Sequence, residues 1–135
     1  MAATRVIVHG AAGRVGREVI AALTRDSEME PAGAVDMASR DSELPLPDGT
    51  GAIPYDTTLE GLLRRCQADV VVDFTVADAC RAMAPVAASH GLHMVIGTTG
   101  LTEADLSALA ELSGKNGVGI VVAPNFALGA VVLNH

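Results

Sequence analysis

Apolar residues fall along this chain in short continuous runs, separated by longer stretches in which they recur every three or four positions. The runs are Arg5–His9, Ala32–Val35, Asp69–Phe74, His93–Ile96 and Gly117–Val122. They are rich in β-branched side chains and do not alternate with polar ones, the pattern of strands buried on both faces of a parallel sheet. Helices are predicted between them at Arg14–Arg25, Thr58–Cys66, Ala77–Ser89 and Thr102–Ser113. In the first, Val15, Val19 and Leu23 make one apolar stripe. In the second, Leu59, Leu62 and Leu63 share a side, and Thr57 with Glu60 reads as a capping box. The third is alanine-rich, with Pro85 a predicted kink or break. The fourth starts at Thr102 as N-cap with Asp105 at N3, and Leu101 is placed to pack on Leu106. Leu106, Leu109 and Leu112 supply its core face, and the stretch Gly114–Gly117 stops it.

Met37–Asp56 fits neither pattern. It carries Pro45, Pro47, Pro54, Gly49 and Gly51, and reads as a long functional flap in which Ile53–Tyr55 could add a short strand. Elsewhere strands and helices alternate, which predicts a doubly wound α/β fold of one domain over residues 1–135, mainly parallel, with helices on both faces. Right-handed crossovers then bring every carboxyl end of the parallel strands to one edge of the sheet.

Composition narrows the functions this fold could carry. Half of the 135 residues are hydrophobic and 19% are charged, which excludes a disordered chain. Tyr55, Phe74 and Phe126 are the only aromatics and the net charge is -7, so nucleic acid is a poor partner: stacking platforms need aromatic faces, and acidic chains repel phosphate backbones. Cys66 and Cys80 lack metal or redox spacing and are read as reduced thiols of a cytoplasmic protein. No apolar run is long enough to span a membrane, and the N-terminus enters a strand without a signal-peptide pattern.

Chemistry gathers at the carboxyl ends of the predicted strands. After the first comes Gly10-Ala11-Ala12-Gly13-Arg14-Val15-Gly16. Glycines allow a tight turn and a close backbone approach to a pyrophosphate, and the following helix N-terminus offers free N–H groups. Arg14 could add a charge-assisted hydrogen bond. Strand, glycine turn and helix in this order form a Rossmann-type dinucleotide fingerprint, with the looser GxxGxxG spacing. After the second strand, Asp36 stands twenty residues beyond Gly16, the offset of a carboxylate that accepts ribose hydroxyls; the alternative is a turn cap. That charge would repel a 2′-phosphate, favouring NAD(H), while Arg40 leaves NADP(H) open. After the third, Phe74 could pack on a cofactor or in the core, and Thr75 could bond a phosphate or ribose or cap the next helix. After the fourth, Gly97-Thr98-Thr99-Gly100 makes a polar ledge for a flat ring, or a turn feeding the Thr102 cap. After the fifth comes Ala123-Pro124-Asn125-Phe126, in which Asn125 offers the donor and acceptor that a carboxamide needs. His9, His90 and His93 show no metal-binding spacing and read as structural, and His135 is the last residue.

Taken together these blocks resemble the 4-hydroxy-tetrahydrodipicolinate reductase family, also called dihydrodipicolinate reductase. The resembling segments are Gly10–Gly16, Asp36, Asp73-Phe74-Thr75, Gly97–Gly100 and Ala123-Pro-Asn-Phe-Ala-Leu-Gly129, in the family's order and spacing. The resemblance implies reduction of a cyclic dicarboxylate by NADH or NADPH on the route to diaminopimelate and lysine. It implies cofactor contacts from Gly10 to Val15, at Asp36, from Gly97 to Thr99 and from Ala123 to Phe126. Val15 replaces the usual Met, and Ala127 the usual Ser. Met37 stands where some members have an Arg, which weakens the case for NADP(H). The resemblance covers only the first half of the family's chain. The His-His pair, Lys and Ser-Gly-Thr stretch of its substrate domain are absent here, so no catalytic residue is assigned and the chain alone is expected to be inactive. It also implies a homo-oligomer for the full-length enzyme. Two other readings are the cofactor domain of another two-domain dehydrogenase of amino-acid metabolism, and a non-catalytic NAD-sensing module. The latter would need a DNA- or partner-binding segment, and neither a basic patch nor a helix-turn-helix pattern is visible.

Overall fold

The computed structural model describes residues 2–123 and the backbone of a strand at 131–133. The elements run β1 (Thr4–His9), α1 (Arg14–Arg25), β2 (Met29–Val35), β3 (Glu43–Pro45), β4 (Ala52–Asp56), α2 (Leu59–Leu62), β5 (Val70–Asp73), α3 (Ala77–Ser89), β6 (His93–Ile96), α4 (Glu103–Asn116), β7 (Ile120–Val122) and β8 (Val131–Leu133). They form one sheet in the order β3-β4-β2-β1-β5-β6-β7-β8. The six strands from β4 to β7 in that order are parallel, and β3 and β8 add antiparallel edges. The order reverses at β1, where the chain crosses to β2 on one side and returns to β5 on the other. Ligands of open α/β sheets bind in the crevice at such a switch point.

Continuous apolar strands are explained by burial on both faces. In β1, Val6 and Val8 pack with Ile20 and Leu23 of α1, while Ile7 belongs to the cluster formed with α2, α3 and α4. The helices use small residues to approach the sheet, as in Cys80, Ala84, Ala87 and Ala88 of α3, all buried.

Several expectations are corrected. In α1 the buried face is Gly16, Ile20 and Leu23, with Val15 turned outward. A Cβ on Gly16 would lie 2.1 Å from the Gly10 carbonyl oxygen, so this glycine fixes the helix roll and leaves Val15 at the rim. α2 is shorter than predicted, and its cap is Thr58, which accepts a bond from the Gly61 N–H at 3.0 Å, rather than Thr57. Pro85 does not break α3; it sits on the exposed face, where the carbonyl its ring disconnects can face solvent. α4 runs through Gly114 and ends at Gly117, whose φ of 67° supplies the left-handed C-cap. The Thr102–Asp105 capping box forms as predicted.

Met37–Asp56 holds the short strand anticipated at Ile53–Tyr55, which forms as β4. It contains a hairpin, β3 paired with β4, whose Leu44, Leu46, Ile53 and Tyr55 cover one side of the core beside α1. Its prolines concealed the β3 half, because prolines depress strand propensity yet are admitted on an edge. Cys66 and Cys80 are free thiols, and burial pushes both above the ordinary thiol range. Among the described residues no helix is long and apolar enough to cross a membrane.

Candidate functional site

The turn after β1 is shaped by contact rather than by side chains. Gly10 adopts a φ of 95°, and a Cβ there would lie 2.8 Å from the Phe74 carbonyl oxygen. The N–H groups of Gly10 and Ala11 both donate to the Val35 carbonyl, at 2.8 and 3.1 Å, which pins the turn to the end of β2. Ala11 is buried, Ala12 half-buried, and Gly13, Arg14 and Val15 exposed. Gly13 caps α1 with no side-chain acceptor, and the first turn carries no acidic residue. The helix therefore presents its N-terminal amides and positive dipole end without an acidic side chain of its own first turn in competition. Arg14 is exposed and lies 3.8 Å from Glu18.

Asp36 ties this turn to β2. Its Oδ2 accepts the Ala12 N–H at 2.8 Å and its Oδ1 accepts the Ala38 N–H at 2.9 Å. The carboxylate is thus both a turn cap and a partner of the glycine loop, and each oxygen retains a lone pair for a further donor. Met37, the next residue, is 82% exposed.

A polar network lies under the ends of β1, β5 and β6. Asp73 is fully buried and accepts three bonds of 2.7 Å, from His9 Nδ1 and the Thr75 hydroxyl at Oδ1 and from the Thr98 hydroxyl at Oδ2. The Thr98 oxygen in turn accepts the Thr75 N–H at 3.1 Å. Burial by itself would push the Asp73 carboxyl up, but the hydrogen bonds from His9, Thr75 and Thr98 outweigh it and hold the group below the ordinary carboxylate range. Thr75 is therefore not the N-cap of α3, a position held by Val76. Nor does the Thr98 hydroxyl belong to an outward-facing ledge: it is 2% exposed and aimed at Asp73, leaving Thr99 as the exposed hydroxyl of that turn.

Of the residues singled out from sequence, Gly10, Gly13, Asp36, Phe74 and Thr75 line one cleft of about 220 Å³. His9, Met37, Thr57, Val76 and Ala79 complete it. Gly97, Thr98 and Thr99 sit further along the same strand-end edge, joined to the cleft through Asp73. Ala123 follows β7 and donates its N–H to the Ile96 carbonyl at 2.8 Å. Pro124, Asn125 and Phe126 lie outside the described residues. His9 and Asp73 were not recognised as partners from sequence. The available signal was a His and an Asp, each at the carboxyl end of an apolar run; the pairing of β1 with β5 places them opposite each other. A second cleft of about 220 Å³ between α3 and α4 is mainly apolar and remote from the strand ends; its Arg81 is already paired with Asp78 and Asp105.

Sheet order, glycine turn, uncapped helix N-terminus and the acidic residue after β2 together define a nucleotide-binding domain of the Rossmann type, the architecture that two-domain dehydrogenases use for one of their halves. The family model described as dihydrodipicolinate reductase, N-terminus, matches residues 4–126, and the chain belongs to that family. Among curated relatives, a 4-hydroxy-tetrahydrodipicolinate reductase of Dehalococcoides mccartyi is 44% identical over 100% of this chain and 51% of its own length. The Bacillus subtilis reductase is 33% identical over 96% of this chain and 49% of its own length. A dipicolinate-bound dihydrodipicolinate reductase from Paenisporosarcina sp. TG-14 superposes with a TM-score of 0.77 at 27% identity, over 93% of this chain and 49% of that one. The chain spans about half the length of the curated relatives it matches.

Proposed function

We propose that this chain is the dinucleotide-binding half of an NAD(P)H-dependent reductase acting on 4-hydroxy-tetrahydrodipicolinate. The observation that carries the reading is the bare N-terminus of α1, held against a glycine turn that no side chain could enter, next to a carboxylate at the end of β2.

The residues fit a dinucleotide physically. The first-turn amides of α1 and the Gly10–Val15 turn would hold the pyrophosphate, with Arg14 free to turn from its weak surface pairing with Glu18 toward it. Asp36 would accept the hydroxyls of the adenosine ribose. Met37 and Val76, both exposed apolar side chains, flank the cleft there and would sandwich the base. The nicotinamide end would lie along Gly97, Thr98 and Thr99 and the segment from Ala123 to Phe126, with Phe74 and Thr75 between the two halves. Since the Thr98 side chain is engaged with Asp73, its contact would come from the backbone.

Bound reduced nicotinamide would supply the hydride. The chain's own residues orient and anchor it, and positioning is what such a domain contributes to the rate. The carboxylate of Asp36 opposes a 2′-phosphate, so NADH is the preferred form, with NADPH accommodated through Arg40. The acid and anion-binding groups for the dicarboxylate would come from a separate substrate domain, corresponding to the half of the relatives' length outside this match. Residues 1–135 therefore act as one cofactor-binding domain of a cytoplasmic, homo-oligomeric enzyme.

Fluorescence titration with NADH, paired with an NADH-oxidation assay, tests the reading. Binding without turnover is expected. Failure to bind would remove the proposal, and turnover by the chain alone would overturn the assignment of catalysis to a second domain.

A further inference from the structure

His9 reads from sequence as a structural histidine, yet its position makes it more. It is 8% exposed and forms the floor shared by two adjoining clefts. One is the 220 Å³ cleft bounded by Gly10 and Asp36; the other, of about 410 Å³, opens behind it toward α2 and α3. Its Nδ1 lies 2.7 Å from Asp73 Oδ1. That carboxylate also receives the hydroxyls of Thr75 and Thr98, so it acts as acceptor to all three and Nδ1 must carry the hydrogen. In the neutral ring the lone pair then resides on Nε2. Among the described residues no group donates to Nε2. The network beneath therefore fixes one tautomer and leaves an acceptor at the cleft.

We propose that His9 is a binding residue for the adenosine half of the dinucleotide, its Nε2 accepting a hydrogen bond from an N–H or O–H donor there. The inference rests on the dinucleotide reading above. With phosphates on the Gly10–Gly13 turn and ribose at Asp36, the space lined by His9, Met37, Thr57 and Ala79 falls to the base and the inner face of its sugar. A strand-end valine or alanine there would supply contact without a hydrogen bond. The histidine adds a directional test for a donor, either the exocyclic amine of the base or a ribose hydroxyl.

Titrations of the chain with NADH, ADP-ribose and reduced nicotinamide mononucleotide separate the two ends of the ligand. His9→Ala is expected to weaken NADH and ADP-ribose about tenfold, the scale of one hydrogen bond made in a desolvated cleft, while leaving the mononucleotide unchanged. His9→Gln, whose amide oxygen can accept, should recover most of the loss. Two analogues identify the donor: NADH with hypoxanthine in place of adenine, and NADH lacking a ribose hydroxyl of the adenosine. Because Asp36 also faces the ribose, the readout is the difference between proteins: for one analogue the penalty relative to NADH should be about tenfold smaller in His9→Ala than in the unmodified chain. Equal affinity of His9→Ala and the unmodified chain for NADH would overturn the proposal. So would an equal loss on the mononucleotide, which marks a general structural effect. If the His9 variants do not fold, Asp36→Ala decides: with the ribose carboxylate gone, both analogues binding that variant as tightly as NADH would refute the proposal. An unmodified chain that binds neither NADH nor ADP-ribose would instead end the dinucleotide reading, and this proposal with it.

Discussion

Replacing Asp73 by Ala tests how the strand ends are held together. The side chain is fully buried and terminates three hydrogen bonds of 2.7 Å from three different segments, at the ends of β1 and β6 and in the loop before α3. Hydrogen bonds to a charged group contribute about 1.5–3 kcal/mol each. The Thr75 hydroxyl can fall back on the Val76 carbonyl, already 3.3 Å away, so its share of the loss is small. His9 and Thr98 have no such alternative among the described residues, and stranding both donors predicts a loss of about 3–5 kcal/mol. A domain of this size has only about 5–15 kcal/mol in total, so the variant should be visibly destabilised in urea-unfolding experiments followed by circular dichroism. Thr98→Val should cost about 1–2 kcal/mol, and the double variant should cost less than the sum of the two. The effect carries a pH signature. The folded-state pKa of Asp73 is depressed, so its contribution is fully present above the unfolded value of about 3.9 and is lost as pH falls through the folded value. The stability gap between the unmodified chain and Asp73→Ala should accordingly shrink below about pH 4. A cost under about 1 kcal/mol at pH 7, or strict additivity with Thr98→Val, would refute the network as drawn.

Further expectations follow from single contacts. Gly16→Ala gains about 1 kcal/mol of helix propensity but drives a Cβ to 2.1 Å from the Gly10 carbonyl, a clash that only a retreat of α1 can relieve; a net loss of about 2 kcal/mol or more in thermal unfolding is expected, together with weaker NADH binding. Asp36→Ala should weaken NADH about tenfold while improving NADPH relative to it, as measured by parallel titrations. Thr102→Ala removes the hydroxyl that accepts the Asp105 N–H at 3.1 Å and should cost about 1 kcal/mol without changing NADH affinity.

Much of this was legible from the chain because burial on both faces leaves an unmistakable trace. Arg14–Arg25, Ala77–Ser89 and His93–Ile96 were bounded to the residue, each flanked by glycines, polar turns or a change of period. The glycine turn and the place of Asp36 beside it were readable because both depend on spacing, and spacing is what sequence records. Hidden features were those set by tertiary contact. β4 was anticipated at Ile53–Tyr55, but its hairpin partner β3 was masked by prolines that an edge strand tolerates. The orientation of Val15 depended on how closely Gly16 approaches the Gly10 carbonyl, and helix periodicity alone cannot supply that distance. Thr98 looked like a surface hydroxyl until β6 was placed beside β5, which turned it inward to Asp73. His9 looked inert for the same reason: its partner lies on β5, 64 residues further along the chain.

A crystal structure of this chain grown with NADH examines the central claim most directly. Both phosphates should lie over the first turn of α1, within hydrogen-bonding distance of its backbone amides, with Asp36 on the adenosine ribose. An empty cradle beside a fully occupied ligand elsewhere on the molecule would contradict it.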